Sequence, residues 1–279
     1  MELDAPEGAS LREPEASEII RVAVRAPVEG DRKVLEAALR VDDALAATDK
    51  AALFKLFTKV LAQKRGWLAT FMAKWSKDWP GCGGHMHMSL WKGGKPMFFD
   101  EKAPCRMSPT MRHFVGGQAA LMPELLGMVA SNVNSYRRLI PGFWAPTVSS
   151  WGVENRTTSL RVIPGSAKST RVEYRVAAAD ANPYLALAAA VGAGLWGIEN
   201  KVDPGEPIKG NSYDKKHPAK AQLPRTLMEA AGRLKASKAA RDLFGDAFVD
   251  HYSATREWEE REFRKAITEW ELDRYMEII

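Results

Sequence analysis

Two short stretches of the chain alternate strictly between polar and apolar residues. In residues 85–90, His85, His87 and Ser89 fall on one side, and Met86, Met88 and Leu90 on the other. In residues 171–176, Arg171, Glu173 and Arg175 oppose Val172, Tyr174 and Val176. A period of two predicts strands with one polar and one apolar face. Residues 19–28, 34–41 and 67–72 read as further strands. Residues 42–64 have helical spacing, with Leu45, Leu53, Leu56, Phe57, Val60 and Leu61 on one face, and Gly66 ends that helix. Residues 76–84 read as a loop, and Gly93-Gly94 as a turn. Ser108 is placed to cap a long helix over 109–132, with a break expected near Pro123 or Gly127.

Residues 133–170 are dense in turn signals, such as Pro141-Gly142 and Pro164-Gly165. After the Arg171 strand, Asn182-Pro183 leads into an Ala-rich helix over 184–198. Residues 201–223 form a polar loop. Residues 224–279 are helical and highly charged, with Phe248, Tyr252, Trp258, Phe263, Trp270 and Tyr275 as apolar anchors. Strands flanked by long helices without βαβ regularity indicate an α+β fold. Residues 1–17, polar and acidic, are expected to be a loosely attached tail, and 18–279 one domain.

The 279 residues, 46% of them hydrophobic, support a substantial core. A net charge of +5 without a dense basic block argues against nucleic acid as a partner. Cys82 and Cys105 form no framework, which fits a reducing cytoplasm. The N-terminus does not read as a signal peptide. The longest apolar run, about 15 residues, falls short of the roughly 20 that span a bilayer, so no membrane partner is expected.

The chemistry lies in the alternating stretches. Imidazole and carboxylate bind divalent metals, and guanidinium binds phosphate or carboxylate. Arg137, Arg138, Arg156, Arg161, Arg171 and Arg175 fall within forty residues and form a set suited to a polyphosphate. Together these suggest phosphoryl transfer to a carboxylate. His85-x-His87 alone also fits a cupin-like metal pair, but that reading leaves the arginines unexplained. A Gly-x-Gly-x-x-Gly occurs at 192–197, inside the Ala-rich helix rather than at a strand-to-helix turn. It is read as permitting close helix packing rather than nucleotide binding.

Taken in order, several motifs resemble those of glutamine synthetase and its γ-glutamyl-amine ligase relatives. They are Gly-His-Met-His-Met-Ser-Leu at 84–90, Asn-Ser-Tyr-Arg-Arg-Leu-Ile-Pro-Gly at 134–142, Ala145-Pro146, Asn155-Arg156, Arg161, Lys-Ser-Thr-Arg-Val-Glu-Tyr-Arg at 168–175 and Ala-Asn-Pro-Tyr-Leu-Ala at 181–186. The resemblance runs from about Glu29 to the C-terminus. It implies an antiparallel curved sheet flanked by helices, a catalytic domain truncated at its N-terminus. It also implies an ATP-dependent ligase with magnesium or manganese, in which glutamate forms a γ-glutamyl phosphate that ammonia or an amine captures.

Carried over by position, the resemblance makes His85, Glu173, Glu36 and Glu29 metal ligands. His87, Ser89, Arg161 and Arg171 fall in the nucleotide site. Arg156 and Arg161 act on the phosphoryl group, and Arg138, Arg175 and Gly81 hold the acid substrate. A cytoplasmic ring of identical subunits is implied if the missing N-terminal part is present.

Two departures bear on the acceptor: Trp144 stands where glutamine synthetases place a glutamate that handles ammonium, and Pro80 replaces an asparagine. Both favour an amine over ammonia. The upstream strand with a Glu-x-Glu pair is also absent, and an inactive fragment with a structural or regulatory role is the rival expectation.

Overall fold

The structure, a computed structural model, describes residues 17–25, 32–141 and 145–278. Glu29, Trp144 and nearly all of the expected tail lie outside the described residues. Nine strands are described: β1 (Ser17–Arg25), β2 (Arg32–Ala38), β3 (Leu68–Thr70), β4 (Gly84–Met88), β5 (Trp91–Lys92), β6 (Lys95–Pro96), β7 (Trp151–Val153), β8 (Leu160–Ile163) and β9 (Arg171–Tyr174). Eight helices accompany them: α1 (Ala44–Lys64), α2 (Pro109–Val129), α3 (Val133–Tyr136), α4 (Pro183–Glu199), α5 (Leu227–Ala236), α6 (Lys238–Phe244), α7 (Asp246–Phe263) and α8 (Glu269–Tyr275). The α+β expectation holds. The main sheet runs β2-β1-β4-β9-β8-β7, with β3 also paired to β1, and β5-β6 form a separate hairpin.

The sheet is antiparallel except at one end, where β7 and β8 are parallel. Both fall in the segment whose turn signals predict loop. They are only three and four residues long, and turn residues surround them, so their pairing partners rather than local pattern define them.

The alternation of β4 and β9 places Met86, Met88, Val172 and Tyr174 in the core, with Leu160 and Val162 of β8. Helices α2 and α4 cover that face and supply Phe114, Leu125, Ala189 and Ala193 to the same core. These two helices pack backbone against backbone: a Cβ on Gly197 would come within 2.4 Å of the Gly117 Cα. The Gly-x-Gly-x-x-Gly spacing therefore serves helix packing, as expected.

Three local readings differ from the structure. Helix α2 runs unbroken through Pro123. Proline has no N–H to give the carbonyl four residues back, and the Ser149 hydroxyl donates to that Ala119 carbonyl instead, at 2.6 Å. Helix α1 buries its small residues Ala47, Thr48, Ala51 and Ala62 and leaves its large apolar stripe exposed. Of the C-terminal aromatics, Phe248 and Tyr252 pack against the core, stacked 5.5 Å apart. Trp258, Phe263, Trp270 and Tyr275 are exposed.

Replacing Ser149 by alanine leaves the Ala119 carbonyl buried without a partner, and should cost about 1–3 kcal/mol in urea unfolding. In a Pro123→Ala background the helix supplies its own N–H, and the cost of Ser149→Ala should shrink to a few tenths of a kcal/mol. An equal cost in both backgrounds would refute the substitution of one donor for the other.

Candidate active site

The polar faces of three neighbouring strands meet in one row. The register sets His87 opposite Glu173, and Glu173 opposite Arg161. Directly opposed residues share a face, so His85, His87, Glu173, Arg161 and Arg171 all project away from the helices. Three strands carry this row because their other face is the apolar core. A one-residue slip would invert both faces.

Glu173 is its centre. It is 3% exposed, and both of its oxygens are taken. Oε1 accepts from Arg175 Nη1 at 2.7 Å and lies 3.1 Å from His85 Nδ1, while Oε2 accepts from Arg161 Nη1 at 3.3 Å. Burial pushes the Glu173 carboxyl up, but the His85 hydrogen bond and the charge of Arg175 outweigh it and bring it to about 2. Burial also lowers His85 to about 4; Glu173 opposes that fall, and Arg175 and Arg138 add to it. His87 falls to about 4, again chiefly through burial. At neutral pH the carboxylate is charged and both imidazoles are neutral.

The hydrogen bonds assign the tautomers. His85 Nδ1 faces a carboxylate, so it carries the proton and Nε2 keeps its lone pair. His87 Nδ1 accepts from Arg171 Nε at 3.2 Å, so its proton sits on Nε2. That Nε2 is buried with no hydrogen-bond partner, and so is Arg175 Nε. His87 Nε2 lies 3.9 Å from Glu173 Oε1, beyond hydrogen-bond reach, and two buried donors without acceptors beside a row of arginines suit anionic oxygens. No spacing in the sequence singles out these two atoms.

Gly83 keeps the space beside His85 open: a Cβ there would lie 2.8 Å from Arg138 Nη2 and 3.0 Å from His85 Nε2. A Cβ on Gly81 would lie 2.7 Å from the Ala73 carbonyl and 3.0 Å from Arg138 Cγ. Arg138 itself is buried, and it donates to the carbonyls of Val176 at 3.0 Å and Arg175 at 3.2 Å. It is thus tied to the end of β9. Ser89 is buried and accepts from Trp91 Nε1 at 3.1 Å.

Arg156 is exposed on the loop between β7 and β8, and makes no hydrogen bond or ion pair among the described residues. Glu154, which no sequence motif marks, pairs with Arg161 from a backbone at φ 50°, outside the usual range for a residue with a side chain. Only the fold reveals that pairing.

Glu36 stands apart. Its register partner Arg21 lies two residues from Ile19, which opposes His85, so Glu36 projects on the same face of the sheet. It is two strands away, roughly 10 Å across, and exposed. Among the described residues no three His, Cys, Asp or Glu side chains gather into a metal-binding group. A neutral imidazole and an ionised carboxylate fit one edge of a divalent metal shell. Hard cations take six or more ligands, most of them oxygen. The remaining ligands must come from substrate, water or further chain. Two clefts of about 650 Å³ each, one beside Trp75 and Tyr136 and one beside Trp151 and His217, include none of the row.

The family model described as glutamine synthetase, catalytic domain, matches residues 22–275. The chain belongs to that family. A type-1 glutamine synthetase of Dictyostelium discoideum is 48% identical over 250 residues, which cover 88% of this chain and 48% of that protein. A glutamate–isopropylamine ligase of a Pseudomonas species is 42% identical over 242 residues, covering 86% of this chain and 53% of that one. A solved complex of GmaS with ADP superposes with a TM-score of 0.83 at 27% identity, over 94% of this chain and 73% of the other. This glutamine synthetase-type chain spans about half the length of the curated relatives it matches. No helix among its described residues is long and apolar enough to cross a membrane.

Both histidines should titrate near pH 4 when followed by imidazole NMR resonances. Because folding lowers their pKa, the stability they contribute is complete above about 6.5, the usual value, and is lost as pH falls toward 4. Glu173, lowered to about 2, adds a further loss below about 4.5. Stability should therefore decline monotonically on acidification from pH 6.5. A histidine midpoint near 6.5 would contradict the buried, neutral assignment.

Proposed function

We propose that this chain carries the catalytic face of an ATP-dependent ligase joining glutamate to an amine. The observation that carries the reading is the ionised Glu173, gripped by His85, Arg161 and Arg175, with unpartnered donors of His87 and Arg175 pointing into the same row.

In the proposed reaction, a γ-carboxylate oxygen of glutamate attacks the γ-phosphorus of ATP and the bond to ADP breaks. The acyl phosphate is then attacked at its carbonyl carbon by a neutral amine, the bond from that carbon to the phosphate oxygen breaks, and the amine's proton leaves on the released hydrogen phosphate. Arg161 and Arg171, with exposed Arg156, balance the charge on the transferring phosphoryl group. His87 Nε2–H and Arg175 Nε–H donate to anionic oxygens. Arg175 also orients the acid beside the Gly81 loop, with Arg138 anchoring it through its bonds to the end of β9. Ser89 borders the nucleotide.

His85 Nε2 and Glu173 would hold a divalent metal, magnesium or manganese, which supplies screening of phosphate charge when bound. Glu36 and Glu29 are proposed for a second such ion. A primary alkylamine is the proposed acceptor, in keeping with Trp144, since an indole accepts no proton. A cytoplasmic ring of subunits belongs to the same proposal.

The test is phosphate release from ATP by the folded chain, dependent on glutamate, with ammonia, isopropylamine and ethanolamine as acceptors. Turnover with an amine is expected. His85→Ala and Glu173→Ala should each lower it on the order of 100-fold or more. Arg161→Ala should raise the KM for ATP, and Trp144→Glu should move preference toward ammonia. Unchanged turnover in the first two variants overturns the assigned roles, and no turnover by a folded chain supports an inactive fragment.

A further inference from the structure

The cleft of about 650 Å³ beside Trp75 and Tyr136 includes none of the row around Glu173. Four stretches of chain wall it: the loop after β3, helix α3 with the residues that follow it, the start of α5 and the end of α7. The loop is fastened to α3 by Asn134, whose side chain accepts from the Lys74 N–H at 2.8 Å and donates to the Lys74 carbonyl at 2.9 Å. Lys74 Nζ donates to the Trp79 carbonyl at 2.6 Å, and the Trp75 and Trp79 rings lie 5.9 Å apart. On α7, the Phe263 ring lies under the Arg137 guanidinium, 5.9 Å from it. These contacts build the walls without anything bound between them.

Two side chains of these walls hold a buried polar atom that has no hydrogen-bond partner among the described residues: Trp75 at Nε1 and Tyr136 at its hydroxyl. Tyr136 is only 6% exposed. Burial, with Tyr252 and Asp180 nearby, pushes its phenol well up, so it keeps its proton. An indole N–H can only donate. Buried donors left without acceptors are costly and rare, and each calls for a partner. Charge is unbalanced in the same place. Lys74, Lys77, Arg137 and Arg225 line the cleft against Glu260 alone, and Arg264 holds Glu260 at 3.3 Å from the same helix. Among the described residues, Lys77, Arg137 and Arg225 form no ion pair.

We propose that this cleft is a binding site for a small aromatic carboxylate. Each part of that ligand answers one part of the wall. The carboxylate meets the cations, for which a guanidinium fork is well shaped. The ring meets Trp75, Tyr136 and Phe263, and aromatic rings pack against one another edge-on or offset. An acceptor oxygen takes the indole or phenol hydrogen. Inorganic phosphate would use the cations and leave the rings wet, and a neutral ring would leave the cations unanswered. Pockets of this size hold small molecules when apolar walls carry a few convergent polar groups. The occupant would also rest on the segment that leads into Arg138, since Tyr136 and Arg137 directly precede it. The proposal goes beyond the ligase reading, and its test does not depend on turnover.

The probe is 2-naphthoate, titrated calorimetrically into the 279-residue chain. Saturable one-to-one binding with a Kd below about 1 mM is expected. Its neutral amide, cyclohexanecarboxylate and inorganic phosphate should each bind at least about 10-fold more weakly, because each lacks the charge or the ring. Hydrogen exchange should slow at residues 74–79 and 133–138 when 2-naphthoate is present. Lys77→Ala with Arg137→Ala, both at exposed positions, should leave the circular dichroism intact and weaken binding about 10-fold or more. Tyr136→Phe removes the unpartnered hydroxyl and keeps the ring. It should weaken binding while leaving the unfolding temperature unchanged or raised, whereas a hydroxyl with a structural partner would lower that temperature. Absence of saturable binding overturns the proposal. Equal binding of the amide shows an apolar site, and equal binding of phosphate a plain anion site; either result also overturns it. Displacement of 2-naphthoate by ADP, or affinity unchanged in the Lys77 and Arg137 variant, places the probe elsewhere and overturns it too.

Discussion

Glu173 carries its charge in a place where burial works against it. The carboxylate stays ionised because Arg175 and Arg161 bring positive charge from β9 and β8, and His85 brings a hydrogen bond from β4. Each contact crosses or follows a strand, so the same interaction fixes three strands in register and poises the site. Removing one partner leaves a charge with too little compensation in a place short of water. The tautomer of His85 follows from it, and that of His87 from the Arg171 hydrogen bond; together they separate a lone pair on His85 from a donor on His87.

The apolar side of the sheet keeps this arrangement rigid. Glycines bring α2 and α4 into backbone contact, and Ser149 repairs the gap that Pro123 makes in α2. A supporting layer of this density leaves β4 and β9 little freedom to shift. The polar row can therefore be built from long arginine side chains without losing its geometry.

Much of the site is legible in the order of the amino acids, because alternation along a strand fixes which residues share a face. His85 with His87, and Arg171 with Glu173 and Arg175, need no more than that. What the order of residues hides depends on contacts across strands. Glu154 meets Arg161 only because a short loop turns back between β7 and β8, and those two strands have no local signature. The orientation of α1 is misleading for a different reason: periodicity reports that a helix has an apolar stripe, not which layer the stripe meets. Alanines, weak in any hydropathy pattern, occupy the buried side. The placement of Glu36 on the site's face also needs the register of β1, which no spacing in the sequence provides.

Arginine outnumbers carboxylate in the row: Arg161, Arg171 and Arg175 surround Glu173, with only Glu154 beside them. Like charges held this close repel one another until an anion arrives. A polyanion that binds the folded chain then relieves that repulsion as well as forming its own contacts, and by mass action it raises the unfolding temperature with its concentration. The site thereby couples the supply of such an anion to the lifetime of the protein: where the anion is scarce, the chain stays in its less durable form.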